Sequence, residues 1–224
     1  MTYRTIATLT FATLMACSPA AGASEWVLPP GASFNNTPPA QLSNEWWQWA
    51  RATPDDINPL LDQTGAHCAS GQQGAVWFLA GGFGSARIRR VCTIPSGKAL
   101  FFPVINMVHW RPNDSRNYTC NQAKAAAALN NETALDLFAE LDGVAINDIQ
   151  KYRVRSARCF NIFGRVPKSE NPYNAFPSAS DGYWLLLKPL PKGHHTLKFG
   201  GRYNRNSVEF GRMVQDIEYE LIVQ

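Results

Sequence analysis

The sequence lacks several patterns by which enzymes and metalloproteins are recognised. It has no Cys-x-x-Cys pair and no histidine pair at ligand spacing, so we expect no bound metal. It has no Gly-x-Ser-x-Gly elbow, which disfavours a serine hydrolase. The glycine-rich run at residues 81–84 is followed by neither a helix nor a Lys-Ser/Thr pair, so it is not a phosphate-binding loop. We predict no cofactor.

Charge is also scarce and scattered. Charged residues make up 17% of the 224 residues, and the net charge is +4. The densest basic cluster is Arg87, Arg89 and Arg90, which is more typical of a solvated strand face than of an anion site. We therefore expect no nucleic-acid partner.

The N-terminus has the features of an export signal over residues 1–23. Arg4 precedes an apolar stretch at residues 6–16, too short to span a bilayer as a mature helix. Cleavage after Ala23 would release a soluble protein, whereas residues 14–17 resemble a lipoprotein box that would attach lipid to Cys17. Both routes predict a periplasmic or extracellular protein, which would contact a membrane only through a lipid on Cys17.

Outside the signal, four cysteines remain, an even number that suits an oxidising compartment. Cys68 precedes one predicted strand and Cys92 lies near the end of the next, so an antiparallel hairpin would bring the two together. This favours a Cys68–Cys92 disulfide and leaves Cys120 to pair with Cys159.

The chain alternates short strand patterns with turn signals, which predicts a mainly β protein. Residues 75–80, 87–94 and 98–106 are expected to form consecutive antiparallel strands, with Pro103 marking a bulge. Further strands are expected at residues 133–141, 144–146, 152–156, 182–187, 194–199 and 214–223. For residues 133–141, a helix before the Asp142-Gly143 turn is the alternative. We predict a single β-sandwich, jelly-roll or Greek-key, over residues 43–224, preceded by a Pro-rich extended strap at residues 24–42.

Two short helices accompany the predicted sandwich. Ser43 is expected to cap a Trp-rich helix at residues 44–51, with Glu45 in its first turn. Helical spacing predicts that Trp46 and Trp49 are buried and that Trp47 is the most exposed of the three. The tryptophans either plug one end of the sandwich or offer a ligand-stacking wall. An alanine-rich helix is expected at residues 121–129.

Exposed aromatic side chains with polar neighbours are typical of sugar-binding surfaces. Trp110 is followed by Arg111, Asn113 and Asp114 in a predicted loop. Tyr173 lies in a long loop at residues 160–180, and Trp47 offers a further aromatic ring. These six residues are the candidate ligand-binding residues.

An enzyme that acts on a polysaccharide or cell-wall substrate by acid–base catalysis is the alternative, with Glu45, Asp62, His67 and His109 as the candidate catalytic residues. In the predicted three-stranded arrangement His67 and His109 lie at opposite ends, so one site that uses both is disfavoured. A structural envelope protein or a partner-binding protein is a third possibility.

Four runs of the sequence resemble a family of exported bacterial proteins with signal peptides. They are EWWQWA at residues 45–50, DQTGAHCASGQQGAVWFLAG at 62–81, RRVCTIPSGKALFFPVIN at 89–106 and DGYWLLLKPLPKGHHTLKFGG at 181–201. The resemblance covers most of the mature chain but implies no activity and no functional residue. Taken together, the patterns favour an exported β-sandwich that binds a glycan or another extracellular ligand through loops at one rim.

Overall fold

The computed structural model describes residues 23–84, 86–171, 173–206 and 208–224. Most of the predicted signal segment, including Cys17, lies outside these ranges. Within them, no helix combines the length and apolar character needed to cross a membrane.

The described residues form three α-helices and nine strands, together with two short 3-10 helices at Asp55–Ile57 and Ile149–Tyr152. The helices are α1 (Ala23–Trp26), α2 (Pro39–Ala52) and α3 (Cys120–Asn131). The strands are β1 (Val76–Phe78), β2 (Arg87–Ile94), β3 (Ala99–Trp110), β4 (Ala134–Leu141), β5 (Val144–Ala145), β6 (Arg153–Arg155), β7 (Ser178–Leu187), β8 (Gly193–Tyr203) and β9 (Val214–Val223).

The strands form two sheets that pack face to face, which confirms the predicted β-sandwich. The first sheet has the order β1-β3-β7-β6, and the second has the order β2-β9-β8-β4-β5. Each is a mixed sheet with one parallel pair, β1 with β3 and β2 with β9. Apolar side chains from the inner faces fill the space between the sheets, and the tryptophans of α2 cover the outer face of the first sheet.

The predicted antiparallel arrangement of the first three strands is wrong. β1 and β2 are not partners, because β2 belongs to the second sheet and β1 runs parallel to β3. The burial pattern explains the separation: β2 alternates exposed and buried residues, whereas ten consecutive residues of β3 are buried. A strand with alternating burial fits a sheet that has one face open to solvent, whereas a fully buried strand needs cover on both faces.

The chain leaves the first sheet just after β1. Leu79 N donates the last bond of this edge to Phe101 O, at 3.0 Å. The next residue bonds instead to the second sheet, because Ala80 N donates to the Tyr219 hydroxyl and Ala80 O accepts from it. Two residues later, Gly82 N donates to Gln215 Oε1 at 3.1 Å. Side chains of β9 therefore draw residues 80–82 away from β3.

Pro103 interrupts the ladder between β3 and β7, as predicted. The register shifts between Pro103 and Ile105. Gln215 Nε2 donates to the carbonyl oxygens of Pro103 and Val104, at 3.1 and 2.6 Å. One amide side chain thus bonds the carbonyls that the bulge leaves open and ties the two sheets together.

Helix α2 is longer than predicted, which corrects two expectations. It begins at Pro39 within the predicted strap, so Glu45 lies mid-helix and not in the first turn. Ser43 does not cap the helix: its hydroxyl donates to Ala40 O one turn earlier. Trp47 is the most exposed of the three helical tryptophans, as predicted, but at 6% exposure it is buried with Trp46 and Trp49.

The predicted hairpin around Asp142 and Gly143 and the final strand are both present. However, β8 does not end at Gly200 and Gly201 but continues to Tyr203. A Cβ at Gly200 would lie 1.9 Å from Gln215 O, so this glycine permits close approach of the neighbouring strand. Glycine here marks tight strand packing and not a strand end.

Both predicted disulfides are present. Cys68 bonds to Cys92, and Cys120 bonds to Cys159. The first bridge does not close a hairpin, since it joins the loop before β1 to the edge strand β2 of the other sheet. Two disulfides indicate a protein outside the cytoplasm.

Candidate functional site

A cleft of about 510 Å³ opens beside the second half of β3. Its walls include β3 itself, helix α2, the segment at residues 81–83 and the loop that leads into β9. It is lined by Trp46, Trp47, Arg51, Leu60, Gly81, Gly82, Phe83, Asn106, Met107, Val108, His109, Trp110, Pro112, Asn113, Tyr173, Glu209, Phe210, Met213 and Gln215.

The cleft is mostly apolar, with two unsatisfied donors among its walls. Trp47 and Asn106 are 6% and 9% exposed. Neither the Trp47 Nε1 nor the Asn106 Nδ2 has a hydrogen-bond partner among the described residues. An unpaired buried donor costs about 1–3 kcal/mol, and an acceptor on a bound molecule would remove that cost. A mostly apolar concavity that contains a few polar groups is typical of a ligand site.

Exposed aromatic rings flank the mouth of the cleft. Phe83 and Phe210 are 49% and 42% exposed. Phe210 has a φ of 56°, a left-handed conformation that is strained for a bulky residue. The loop holds it there: Asn130 Nδ2 donates to Glu209 O at 2.9 Å, and Met213 N donates to Phe210 O at 3.0 Å. Backbone strain of this kind often marks a functional position.

Trp110 and Tyr173 form one side of the mouth. Trp110 Nε1 donates to the Tyr173 hydroxyl at 3.0 Å, and that hydroxyl donates to Arg111 O at 3.1 Å. The Arg51 guanidinium lies 5.1 Å from the centre of the Trp110 ring. A ligand that stacks on this face of Trp110 would therefore have to displace Arg51.

His109 and Glu209 are two of the titratable residues that line the cleft. Burial lowers the pKa of His109 below its ordinary value, although the negative charge of Glu209 works in the opposite direction. The folded protein therefore favours the neutral imidazole, which can accept as well as donate a hydrogen bond.

Acid is expected to destabilise the protein through His109. The unfolded chain gains this proton near the ordinary pKa of 6.5, whereas the folded protein gains it only at lower pH. The unfolded state then binds more protons, so the free energy of unfolding falls as the pH drops below about 6.5. Urea unfolding between pH 8 and 5 should show this loss, and His109→Gln should reduce it.

Glu209→Gln provides the matched variant. Without that carboxylate the pKa of His109 falls further, so the loss on acidification should extend to lower pH. Identical pH profiles for the wild type and His109→Gln would contradict the account.

Four of the six candidate ligand-binding residues line the cleft, and two lie outside it. Trp47, Trp110, Asn113 and Tyr173 line it, whereas Arg111 and Asp114 do not. The Arg111 guanidinium bonds to the carbonyl oxygens of Asn174 and Phe176 instead. It fixes the loop that carries Tyr173.

The four candidate catalytic residues do not meet. Only His109 lines the cleft, and Glu45 lies in a separate groove, where it accepts from Gln41 and faces Arg165 at 3.5 Å. His67 borders neither of these two cavities.

Asp62 has a clear structural role. Its carboxylate accepts from Thr64 N and His67 N, at 2.7 and 2.9 Å, and from the Thr64 hydroxyl at 2.7 Å. Burial acts to raise the pKa of Asp62, but these bonds and nearby Arg90 lower it overall. The carboxylate organises the loop before Cys68.

Sequence reasoning missed three important residues of the cleft. Asn106 interrupts the apolar run of β3, and this lone polar residue is a usable signal. The sequence gives no comparable signal for Phe210 or Gln215. The role of Phe210 depends on a strained loop, and the role of Gln215 depends on contacts between the two sheets. Among the described residues, no group of three or more His, Cys, Asp or Glu side chains is arranged to hold a metal ion.

Comparisons of the chain with protein-family models, curated proteins and solved structures give no match. The resemblance to an exported bacterial family therefore stays a prediction.

Proposed function

We propose that the protein is an exported binding protein that holds an extracellular ligand in the cleft beside β3. The observation that carries the proposal is the pair of buried donors without a partner among the described residues, Trp47 Nε1 and Asn106 Nδ2, in a mostly apolar concavity. The exposed rings of Phe83 and Phe210 at the mouth support it, because large exposed aromatics mark interaction sites.

A glycan stays a prediction for the ligand class, but the geometry favours it less. Sugar rings need a free aromatic face and several hydroxyl partners. One face of Trp110 is covered by Arg51, and Arg111 and Asp114 lie outside the cleft. Catalysis is also less favoured, because Glu45, Asp62 and His67 do not line the cleft.

Binding of a neutral apolar dye tests the proposal. N-phenyl-1-naphthylamine should bind the mature protein saturably, with a rise in fluorescence. Phe210→Ala removes an exposed ring at the mouth, and an aromatic hot spot contributes about 2 kcal/mol. The dissociation constant should therefore rise roughly thirtyfold.

Phe176→Ala is the matched control, because Phe176 is 51% exposed and does not line the cleft. It should leave dye affinity unchanged. An equal loss of dye affinity in the Phe210→Ala and Phe176→Ala variants would contradict the proposal. So would the absence of saturable dye binding to the wild type. Displacement of the dye by members of glycan, lipid and peptide panels would then identify the ligand class.

A further inference from the structure

The cleft borders the edge of a strand and not one of its faces. Five consecutive residues of β3, from Asn106 to Trp110, line it. Successive side chains of a strand point to opposite faces, so consecutive residues border the same space only where the strand's edge is open to it. This edge is open because residues 80–82 cross to the second sheet, as described above.

The register shows which backbone groups point into the cleft. Arg111 N donates to Pro177 O at 3.0 Å, and the pairing of β3 with β7 is continuous from there to Asn106. In an antiparallel pair, hydrogen-bonded and non-bonded positions alternate. His109 and Met107 therefore bond to β7, whereas the N–H and C=O groups of Asn106, Val108 and Trp110 point to the opposite edge.

The bonds of β7 support this assignment. Ser178 exchanges two backbone bonds with Phe160, and Ser180 O accepts from Ser156 N at 2.8 Å. Ser178 and Ser180 face Trp110 and Val108 in the register, so their backbone groups point away from β3. Outside the strand ladders, no backbone–backbone hydrogen bond between described residues involves Asn106, Val108 or Trp110.

Apolar walls lie on both sides of this edge. Val108 packs in one cluster with Trp46 and Trp47, on the outer face of the first sheet. Met107 packs in the other cluster with Met213, between the two sheets. A strand added at the edge would direct alternate side chains towards these two walls.

We propose that the ligand is an extended peptide segment of another protein, with apolar side chains at consecutive positions, which adds to β3 as a further strand. The inference rests on the proposed function of the cleft. Peptide backbone supplies alternating donors and acceptors that match Asn106, Val108 and Trp110, and its carbonyls can accept from Trp47 Nε1 and Asn106 Nδ2. Strand addition of this kind combines main-chain bonds for affinity with side-chain pockets for specificity. The available edge is about 14 Å long, enough for four or five residues.

Peptide selection followed by N-methylation tests the inference. A phage-displayed library of random dodecapeptides is panned on the mature protein, and selected peptides are tested for displacement of N-phenyl-1-naphthylamine. A displacing peptide is then resynthesised with one N-methyl group at each position in turn. Methylation at alternate positions, where the N–H faces β3, should weaken binding about tenfold or more. The intervening positions should tolerate it.

Hydrogen exchange gives a second readout within the chain. On addition of the peptide, exchange of the Val108 and Trp110 amides should slow at least tenfold, whereas Met107 and His109, already bonded to β7, act as internal controls. Dye binding without any displacing peptide would overturn strand addition and leave the proposed function standing. A displacing peptide that tolerates N-methylation everywhere would do the same. Absence of dye binding would overturn the proposed function itself.

Discussion

Trp46→Ala is expected to lower the free energy of unfolding by about 3–5 kcal/mol, the range for removal of a large buried aromatic side chain. Trp46 is 0% exposed and its ring meets Trp47, Trp49 and Trp184 edge-on, with centroids 5.0–5.7 Å apart. Its Nε1 donates to Leu79 O at 2.9 Å. The substitution therefore removes packing between α2 and the first sheet together with the bond to Leu79 O, just before the chain crosses to the second sheet.

Two variants separate these contributions in urea or guanidinium unfolding. Trp46→Phe keeps most of the ring but loses the bond to Leu79 O, so its loss should be smaller. Trp26→Ala removes a tryptophan that is only partly buried at the margin of the core and should also cost less. A Trp46→Ala midpoint close to that of Trp26→Ala would contradict the central position of Trp46.

Replacing both Cys68 and Cys92 by Ala is expected to cost about 3–4 kcal/mol, the chain-entropy value for a loop of this size. The bridge spans 24 positions and joins a loop to β2 of the second sheet. Cys92 is 0% exposed. Loss of the bridge should loosen residues 62–72, which otherwise hold Arg90 through Asp62 O and Phe78 through Gln72.

The second disulfide serves as the comparison. Cys120 and Cys159 are 39 positions apart, so chain entropy alone predicts a slightly larger loss for their double Ala variant. However, both of these cysteines are partly exposed, so less buried contact is lost with them. Equilibrium unfolding of both variants checks the prediction, and a loss below about 1 kcal/mol for Cys68/Cys92 would contradict the entropic argument.

Local sequence patterns predicted individual strands and turns better than they predicted which strands pair with each other. The alternation of β9 and the Asp142-Gly143 turn are properties of neighbouring residues, and both predictions are confirmed. The point where β1 stops pairing with β3 is different, because it depends on Tyr219 and Gln215, more than a hundred positions along the chain. No local pattern shows that these side chains draw residues 80–82 to the other sheet.

The Cys68–Cys92 bridge is a case in which the predicted pairing is correct although the predicted strand arrangement is not. The prediction is confirmed, yet its hairpin argument was wrong, since β1 and β2 lie in different sheets. An even number of cysteines and their proximity along the chain were enough. The actual geometry depends on Gly65, where a Cβ would lie 2.2 Å from Val91 O, so the loop before Cys68 can approach β2 closely.

The candidate site was predicted in part for similar reasons. Trp110 and Tyr173 stood out as aromatic residues in polar segments, and the structure brings them within 3.0 Å. The sequence did not indicate that β3 has an open edge, because that follows from where its neighbour β1 ends. Arg111 looked like a ligand-binding residue by position, but loop carbonyls take its donors.

The indole N–H signals of the seven tryptophans test the central claim most directly. In a ¹⁵N–¹H spectrum, the Trp47 signal is identified by its loss in Trp47→Phe and followed while N-phenyl-1-naphthylamine or a selected peptide is added. We expect the Trp47 signal to shift progressively, because its Nε1 has no partner among the described residues. Trp46 and Trp49, bonded to Leu79 O and Ser70 O, should shift little. A stationary Trp47 signal at saturating ligand, with the change confined to Trp77 or Trp184, would place the ligand elsewhere and contradict the account.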